Sequence, residues 1–244
     1  MTARILVIQH EVDGPPGHVG RWLLEAGCTL DVRRPYADDA LPDDLDGYDG
    51  MLVLGGAMGA NDDDHHWWLA PTKDLVRTAA ESALPTLGIC LGHQLVATAL
   101  GGVSKRNPRG QQVGLLDVGW TPAAAGDPLL ATVSTAPRRG VQWNDDVVDP
   151  LPEGATVLAQ TPEGEVQAAR FGPAMWGVQL HPEVDETIVG AWVTDDERTA
   201  LSGRGLDAER IFAEIAAARA ELDQAWQPFA EAFARVVHQH AAHG

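Results

Sequence analysis

Two short stretches of this 244-residue sequence hold the residue types that acyl-transfer chemistry needs. The first is Leu87-Gly88-Ile89-Cys90-Leu91-Gly92-His93-Gln94. An apolar run passes straight into Gly-x-Cys-x-Gly and then into a helical pattern, the arrangement of a nucleophile elbow with sulfur in place of oxygen. So tight a turn leaves room only for glycine at positions 88 and 92. The thiol is then raised to the end of a strand and the start of a helix, where the helix dipole and unpaired N–H groups favour a thiolate. An unperturbed thiol is only about 3% ionised at pH 7, so the site also needs a base. The second stretch, Gly177-Val178-Gln179-Leu180-His181-Pro182-Glu183, supplies one. His181 titrates near neutrality, and Glu183 can accept its other ring N–H and fix the tautomer. Pro182 restricts His181 to extended backbone. Taken alone, Cys90 reads as a small buried hydrophobe and His-Pro-Glu as a surface turn. The flanking glycines and the pairing of two strand ends reverse that reading. Cys28 has no such frame and keeps it.

The elements that must position these groups follow from apolar periodicity. Strands are expected at Arg4–Gln9, Thr29–Arg33, Asp49–Leu54 and Pro85–Ile89, the first a near-continuous apolar run of the kind buried on both faces. Helices are expected at His18–Ala26, Trp67–Ser82 and Leu91–Leu100. Alternating strands and helices imply crossovers and an α/β fold, a mostly parallel sheet flanked by helices on both faces. Beyond it, Val113–Val118, Thr156–Gln160, Val166–Ala169 and Met175–Gln179 read as extra strands, hairpins or edges added to that sheet. An Ala-rich helical pattern covers Asp207–His240, and Pro228 is expected to break it into two helices.

These residues resemble the class I (triad-type) glutamine amidotransferases. The matching segments are Gly88–Gln94, Gly177–Glu183 and the Gly-rich Leu54-Gly55-Gly56-Ala57-Met58-Gly59, in the order found in that family. The run Gln142-Trp143-Asn144-Asp145-Asp146 and the following Leu151-Pro152-Glu153-Gly154-Ala155 make the chain most similar to free-standing members related to the glutaminase domain of GMP synthase. The resemblance implies a flavodoxin-like catalytic domain over residues 1–190, with 191–244 a helical extension packed on it. It implies a Cys90–His181–Glu183 triad, an oxyanion hole from the backbone N–H groups of Gly56 and Leu91, and substrate contacts from Gln94, Met58, Asp145 and Asp146. The implied reaction is hydrolysis of the glutamine side-chain amide through a glutamyl thioester, with ammonia passed to a separate synthetase or to solvent. A γ-glutamyl hydrolase or peptidase acting on larger glutamyl conjugates uses the same chemistry and stays open. Two departures from the family pattern stand out: Leu180 where an aromatic residue often precedes the histidine, and Asn144 where a histidine is frequent. A binding module that kept the fold is the reading from another class, and the complete triad argues against it.

Composition narrows the remaining possibilities. Lys and Arg total 17 against 35 Asp and Glu, a net charge of −18, which repels phosphate backbones and anionic lipid. Neither nucleic acid nor a membrane surface is therefore an expected partner. Two cysteines exclude a disulfide framework, no apolar run is long enough for a membrane helix, and a cytoplasmic setting is expected. No Walker-type loop occurs, and no cofactor is expected. Asn61-Asp62-Asp63-Asp64-His65-His66 carries ligand-type side chains but is contiguous, so it reads as a polar rim and not as a metal site. The tryptophans, Trp192 and Trp226 among them, read as packing residues. His238, His240 and His243 read as a solvated, frayed end.

Overall fold

The structure, a computed structural model, describes residues 2–243. The chain runs through β1 (Arg4–Ile8), α1 (Gly17–Glu25), β2 (Thr29–Arg33), β3 (Gly50–Val53), α2 (Leu69–Ser82), β4 (Thr86–Ile89) and α3 (Leu91–Ala99). There follow β5 (Ser104–Arg106), β6 (Gln112–Val118), β7 (Arg138–Asn144), β8 (Asp146–Val148), β9 (Thr156–Gln160), β10 (Val166–Gly172) and β11 (Met175–Val178). Four helices close it: α4 (Glu186–Trp192), α5 (Asp195–Gly203), α6 (Ala208–Ala217) and α7 (Arg219–Ala241).

The central sheet has the order β2-β1-β3-β4-β11-β10-β9, parallel from β2 to β11 and antiparallel over the last two pairings. Successive residues of a strand point to opposite faces, and here each face meets its own core. Ile5 and Val7 of β1 pack with Val19, Trp22, Phe229 and Phe233. Leu6 and Ile8 pack with Leu69, Val76, Leu95 and Val96. Helices α1 and α7 therefore cover one face, and α2 and α3 the other. Burial on both faces is why these strands are unbroken apolar runs.

The added strands divide among three places: Met175–Gln179 becomes β11, an interior strand parallel to β4 rather than an edge strand. β9 and β10 extend the main sheet, as expected for such edges. The strand around Val113–Val118 does not join it: β6 pairs antiparallel with β7 as a separate ribbon, and β5 with β8 as another. β7 has no period-two signal, because its buried positions Gly140, Val141 and Gln142 are consecutive.

Pro228 does not break the C-terminal helix. The interruption lies at Ala218, and α7 continues through Pro228 for 23 residues. A proline removes one hydrogen bond to the carbonyl four residues earlier. That residue, Gln224, is exposed, so water can serve the carbonyl. Leu222, Trp226, Phe229, Phe233 and Val237 bury one continuous stripe of the helix, and the Trp226 indole N–H donates to the Arg139 carbonyl at 3.0 Å. His238 is part of this packing and is not frayed: its Nε2 lies 3.0 Å from the Ala26 carbonyl oxygen and 3.7 Å from Cys28 Sγ.

Restoring the missing N–H with Pro228→Ala is expected to raise stability by up to about 3 kcal/mol, whereas Phe233→Ala should lower it by about 3–5 kcal/mol. Urea-unfolding midpoints of the two variants against the parent check both signs.

Candidate active site

Cys90 sits between β4 and α3 with φ 50° and ψ −106°, a backbone conformation that side-chain-bearing residues rarely adopt. Strain of this kind costs about 1–3 kcal/mol and persists only where neighbours enforce it. Here they do. A Cβ on Gly92 would fall 1.9 Å from the Val53 carbonyl oxygen, and one on Gly88 would fall 2.4 Å from that of Gly92. Strand β3, the end of β4 and the first turn of α3 thus touch backbone to backbone. The Cys90 N–H donates to Val178 of β11 at 2.8 Å and ties the elbow to the strand that leads to His181.

His181 and Glu183 follow the end of β11, beside β4 in the sheet. The Nδ1–H of His181 donates to Glu183 Oε1 at 2.7 Å, and both side chains are buried. The other ring nitrogen, Nε2, is buried without a well-aligned hydrogen bond, although Cys90 is near enough to act on it electrostatically. A Cβ built on Gly55 would lie 3.1 Å from His181 Cε1 and 3.6 Å from Cys90 Cβ, so the bare backbone of Gly55 fits against both groups. Burial by itself lowers the pKa of His181. The negative charges of Cys90 and Glu183 outweigh burial and hold it well above 6.5.

A cleft of about 570 Å³ opens above these groups. Cys90, His181, Glu183, Gly56, Met58, Gln94, Asp145 and Asp146, all singled out in the sequence, line it. Leu91 does not line it, but a Cβ on Gly56 would fall 3.0 Å from Leu91 Cδ2 and 2.6 Å from Met58 Sδ. The two residues are therefore adjacent, and among the described residues neither amide N–H donates to a backbone carbonyl. Gln94 Nε2 is held by the Asp146 carbonyl and by Gln179 Oε1, each at 3.3 Å. Burial raises the pKa of Asp146, partly offset by Arg106, which pairs with Asp145 at 3.1 Å.

Several residues of the site had no place in the sequence reading. Gln179 is fully buried and directs Nε2 at Cys90 Sγ, 3.4 Å away. Trp192 is more than packing: its ring lies 4.8 Å from that of His181, and it lines the cleft with Thr194 and Glu197. Its indole N–H donates to the Asp13 carbonyl at 2.8 Å. The signal available was Thr194-Asp195-Asp196-Glu197, a helix-capping pattern, and Thr194 does accept the Glu197 N–H at 3.2 Å. In the acidic stretch, Asp62 lines the cleft and accepts the Gly59 N–H, while Asp63 pairs with Lys73.

Beneath the site lie two buried imidazoles. His10, which accepts the Trp68 indole N–H at 3.1 Å, has its pKa lowered to about 3 by burial and then by His66. Burial lowers that of His93 to about 4. A Cβ on Gly177 would meet His93 Nδ1 at 2.4 Å, so the ring fills the space beside the bare strand.

Residues 18–198 match the family model for glutamine amidotransferase class-I. The chain is 34% identical to a glutamine-hydrolyzing GMP synthase subunit of Saccharolobus solfataricus, over 66% of this chain and 79% of that protein. It is 31% identical to gamma-glutamyl peptidase 5 of Arabidopsis thaliana, over 68% of this chain and 66% of that one. A crystal structure of a glutamine amidotransferase from Thermotoga maritima superposes with a TM-score of 0.84, covering 96% of this chain and 99% of that chain at 24% identity.

Gly92→Ala should cost about 3 kcal/mol or more, because the Val53 carbonyl cannot retreat without opening the sheet. Urea unfolding of that variant tests the backbone contact. A second expectation concerns acid. The unfolded chain protonates His10 and His93 below about pH 6.5, but the native state does so only near 3 and 4, so stability must fall as pH drops from 6.5 towards 4. At pH 5 the loss should be about 2 kcal/mol per imidazole. His181 works the other way: its contribution is full below pH 6.5 and disappears as pH rises through its raised native value. His10→Gln should flatten the acid side of the urea-midpoint profile, and an unchanged slope would contradict this account.

Proposed function

The chain belongs to the class I glutamine amidotransferase family, and from that footing we propose that it cleaves the side-chain amide of a glutamyl group, in glutamine or a γ-glutamyl amide, through a thioester on Cys90. The observation that carries this reading is the strained Cys90 elbow beside a buried His181–Glu183 pair at the mouth of one cleft.

The steps follow from the positions. His181 takes the thiol proton, and Cys90 Sγ attacks the γ-carbonyl carbon. The oxygen becomes negative and is met by the N–H groups of Gly56 and Leu91; preorganised donors of this kind are worth about 3–4 kcal/mol each in acyl transfer. The C–N bond then breaks as His181 returns the proton to the leaving nitrogen. Water, deprotonated by the same imidazole, hydrolyses the thioester to glutamate. Glu183 holds His181 in the tautomer that presents Nε2 to sulfur. With its Nε2 pinned, Gln94 turns its Oε1 to the substrate, and Met58, Asp145 and Asp146 complete the glutamyl pocket. In this reading residues 1–190 form the catalytic unit and 191–244 a helical extension packed on it that lends Trp192, Thr194 and Glu197 to the cleft. Two unpaired cysteines suit a reducing, cytoplasmic setting.

The fate of the nitrogen divides two versions. Likeness to the GMP synthase subunit supports delivery of ammonia to a separate synthetase. Likeness to gamma-glutamyl peptidase 5 supports release of a larger amine, and a cleft of about 570 Å³ is roomier than a free amino acid requires.

Glutamate release from glutamine and from a γ-glutamyl amide panel is the direct test. Cys90→Ala should abolish it, and Glu183→Gln should lower kcat by about a hundredfold or more. Equal release by Cys90→Ala would remove Cys90 from the mechanism.

A further inference from the structure

His181 has to hand its proton to the departing nitrogen, so the amine portion of the substrate leaves on the side of the cleft that the imidazole faces. That side has a definite wall. The Trp192 ring lies tilted against that of His181, 4.8 Å between centroids, and is anchored to the Asp13 carbonyl, and Glu11 lies close enough to feel the His181 charge. Glu197, on the next helix, lines the same cleft.

The charge of this wall is not balanced. Among the described residues, Arg106 is the only lysine or arginine lining the cleft, and it is engaged by Asp145 and Asp146. Glu11, Asp13, Asp62 and Glu197 have no ion-pair partner among the described residues. Glu11 is largely withdrawn from water, which raises its pKa despite a hydrogen bond from the Ala57 N–H. Two further acceptors lack donors among the described residues: Glu183 Oε2 and Asn144 Oδ1, on side chains more than nine-tenths buried that line the cleft. The Asn144 amide is oriented by its Nδ2, which donates to Gln112 Oε1 and to the Asp146 carbonyl, each at 3.1 Å. Carboxylates with no lysine or arginine partner, orphaned acceptors and an indole ring together suit a ligand rich in N–H donors and positive charge.

We infer that the cleft carries a leaving-group subsite, formed by Glu11, Asp13, Trp192 and Glu197, for γ-glutamyl amides whose amine portion bears a second, positively charged nitrogen. This rests on the amide-cleaving reading above and names its substrate class: mono-γ-glutamyl diamines. The step balances without a co-reactant. Sulfur bonds to the γ-carbon, the C–N bond breaks, the His181 proton goes to the amine nitrogen, and water completes hydrolysis to glutamate and the diamine.

Three γ-glutamyl amides of equal chain length, made from a diaminoalkane, an aminoalkane and an aminoalkanoate, test the subsite in the full-length protein, with glutamine alongside. The kcat/KM for the cationic amide should exceed that for the neutral one by about tenfold, with the anionic amide lowest. The advantage should shrink as salt rises from about 20 to about 500 mM, because partly exposed charges are screened. Glu11→Gln and, independently, Glu197→Gln should each cut the cationic-to-neutral ratio severalfold. Turnover that is equal for the three amides, or that favours the neutral or anionic one, overturns the subsite and leaves the amidase reading standing. Failure of all three amides and of glutamine overturns both.

Discussion

The closest backbone approach at the site is that of Gly92 to the Val53 carbonyl, where even one carbon atom would lie 1.9 Å from oxygen. This contact holds α3 against the end of β3 and leaves Cys90 no relaxed conformation to adopt. Its neighbours repeat the device. Gly88 fits under Gly92, Gly55 fits against Cys90 and His181, and Gly177 fits against His93. At Gly92, Gly88 and Gly177 the neighbours come closer than any Cβ tolerates, and at Gly55 a Cβ would be tight, so strands, helix and imidazoles pack directly on bare backbone. The sheet order does the rest, because β4 and β11 are parallel neighbours and deliver the sulfur and the imidazole to the same edge.

Electrostatics then acts on a site that is nearly dry. His181 and Glu183 are buried, so their interaction is weakly screened and the imidazole keeps its proton affinity against desolvation. His10 and His93 lie in the same interior without an anionic partner and are held neutral. Three buried imidazoles thus differ in charge state for one reason, the presence or absence of an adjacent anion. Gln179 adds a neutral donor to the sulfur and a neutral acceptor to Gln94, joining the Cys90 elbow to the opposite wall of the cleft through amides alone.

Much of this was legible in the residues. β1, β3 and β4 announce themselves because burial on both faces leaves their strands almost wholly apolar, and the elbow glycines mark their own crowding. The illegible parts share a cause: their signal lies in a partner distant in sequence. β7 looks irregular until β6 is placed beside it, since its buried residues are consecutive. Pro228 reads as a helix breaker by local rules, but the stripe from Leu222 to Val237 binds the helix to the sheet more strongly than one lost hydrogen bond loosens it. Trp192 carries nothing in its sequence neighbourhood to say that it meets His181. Gln179 lay inside a recognised segment, yet only the fold shows which atom its amide faces.

The pairing of α1 with α7 has a consequence for how the molecule is made. The stripe of Val19, Trp22 and Leu23 leaves the ribosome roughly 200 residues before the helix that covers it. At elongation rates of about 5–20 residues per second, that greasy surface waits roughly 10–45 s for its cover. The N–H of His18, on the same early helix, holds the Glu183 carbonyl at 2.8 Å. The nascent chain therefore carries Cys90, His181 and Glu183 before α7 exists to close the fold around them, an interval in which uncovered apolar surface is open to aggregation.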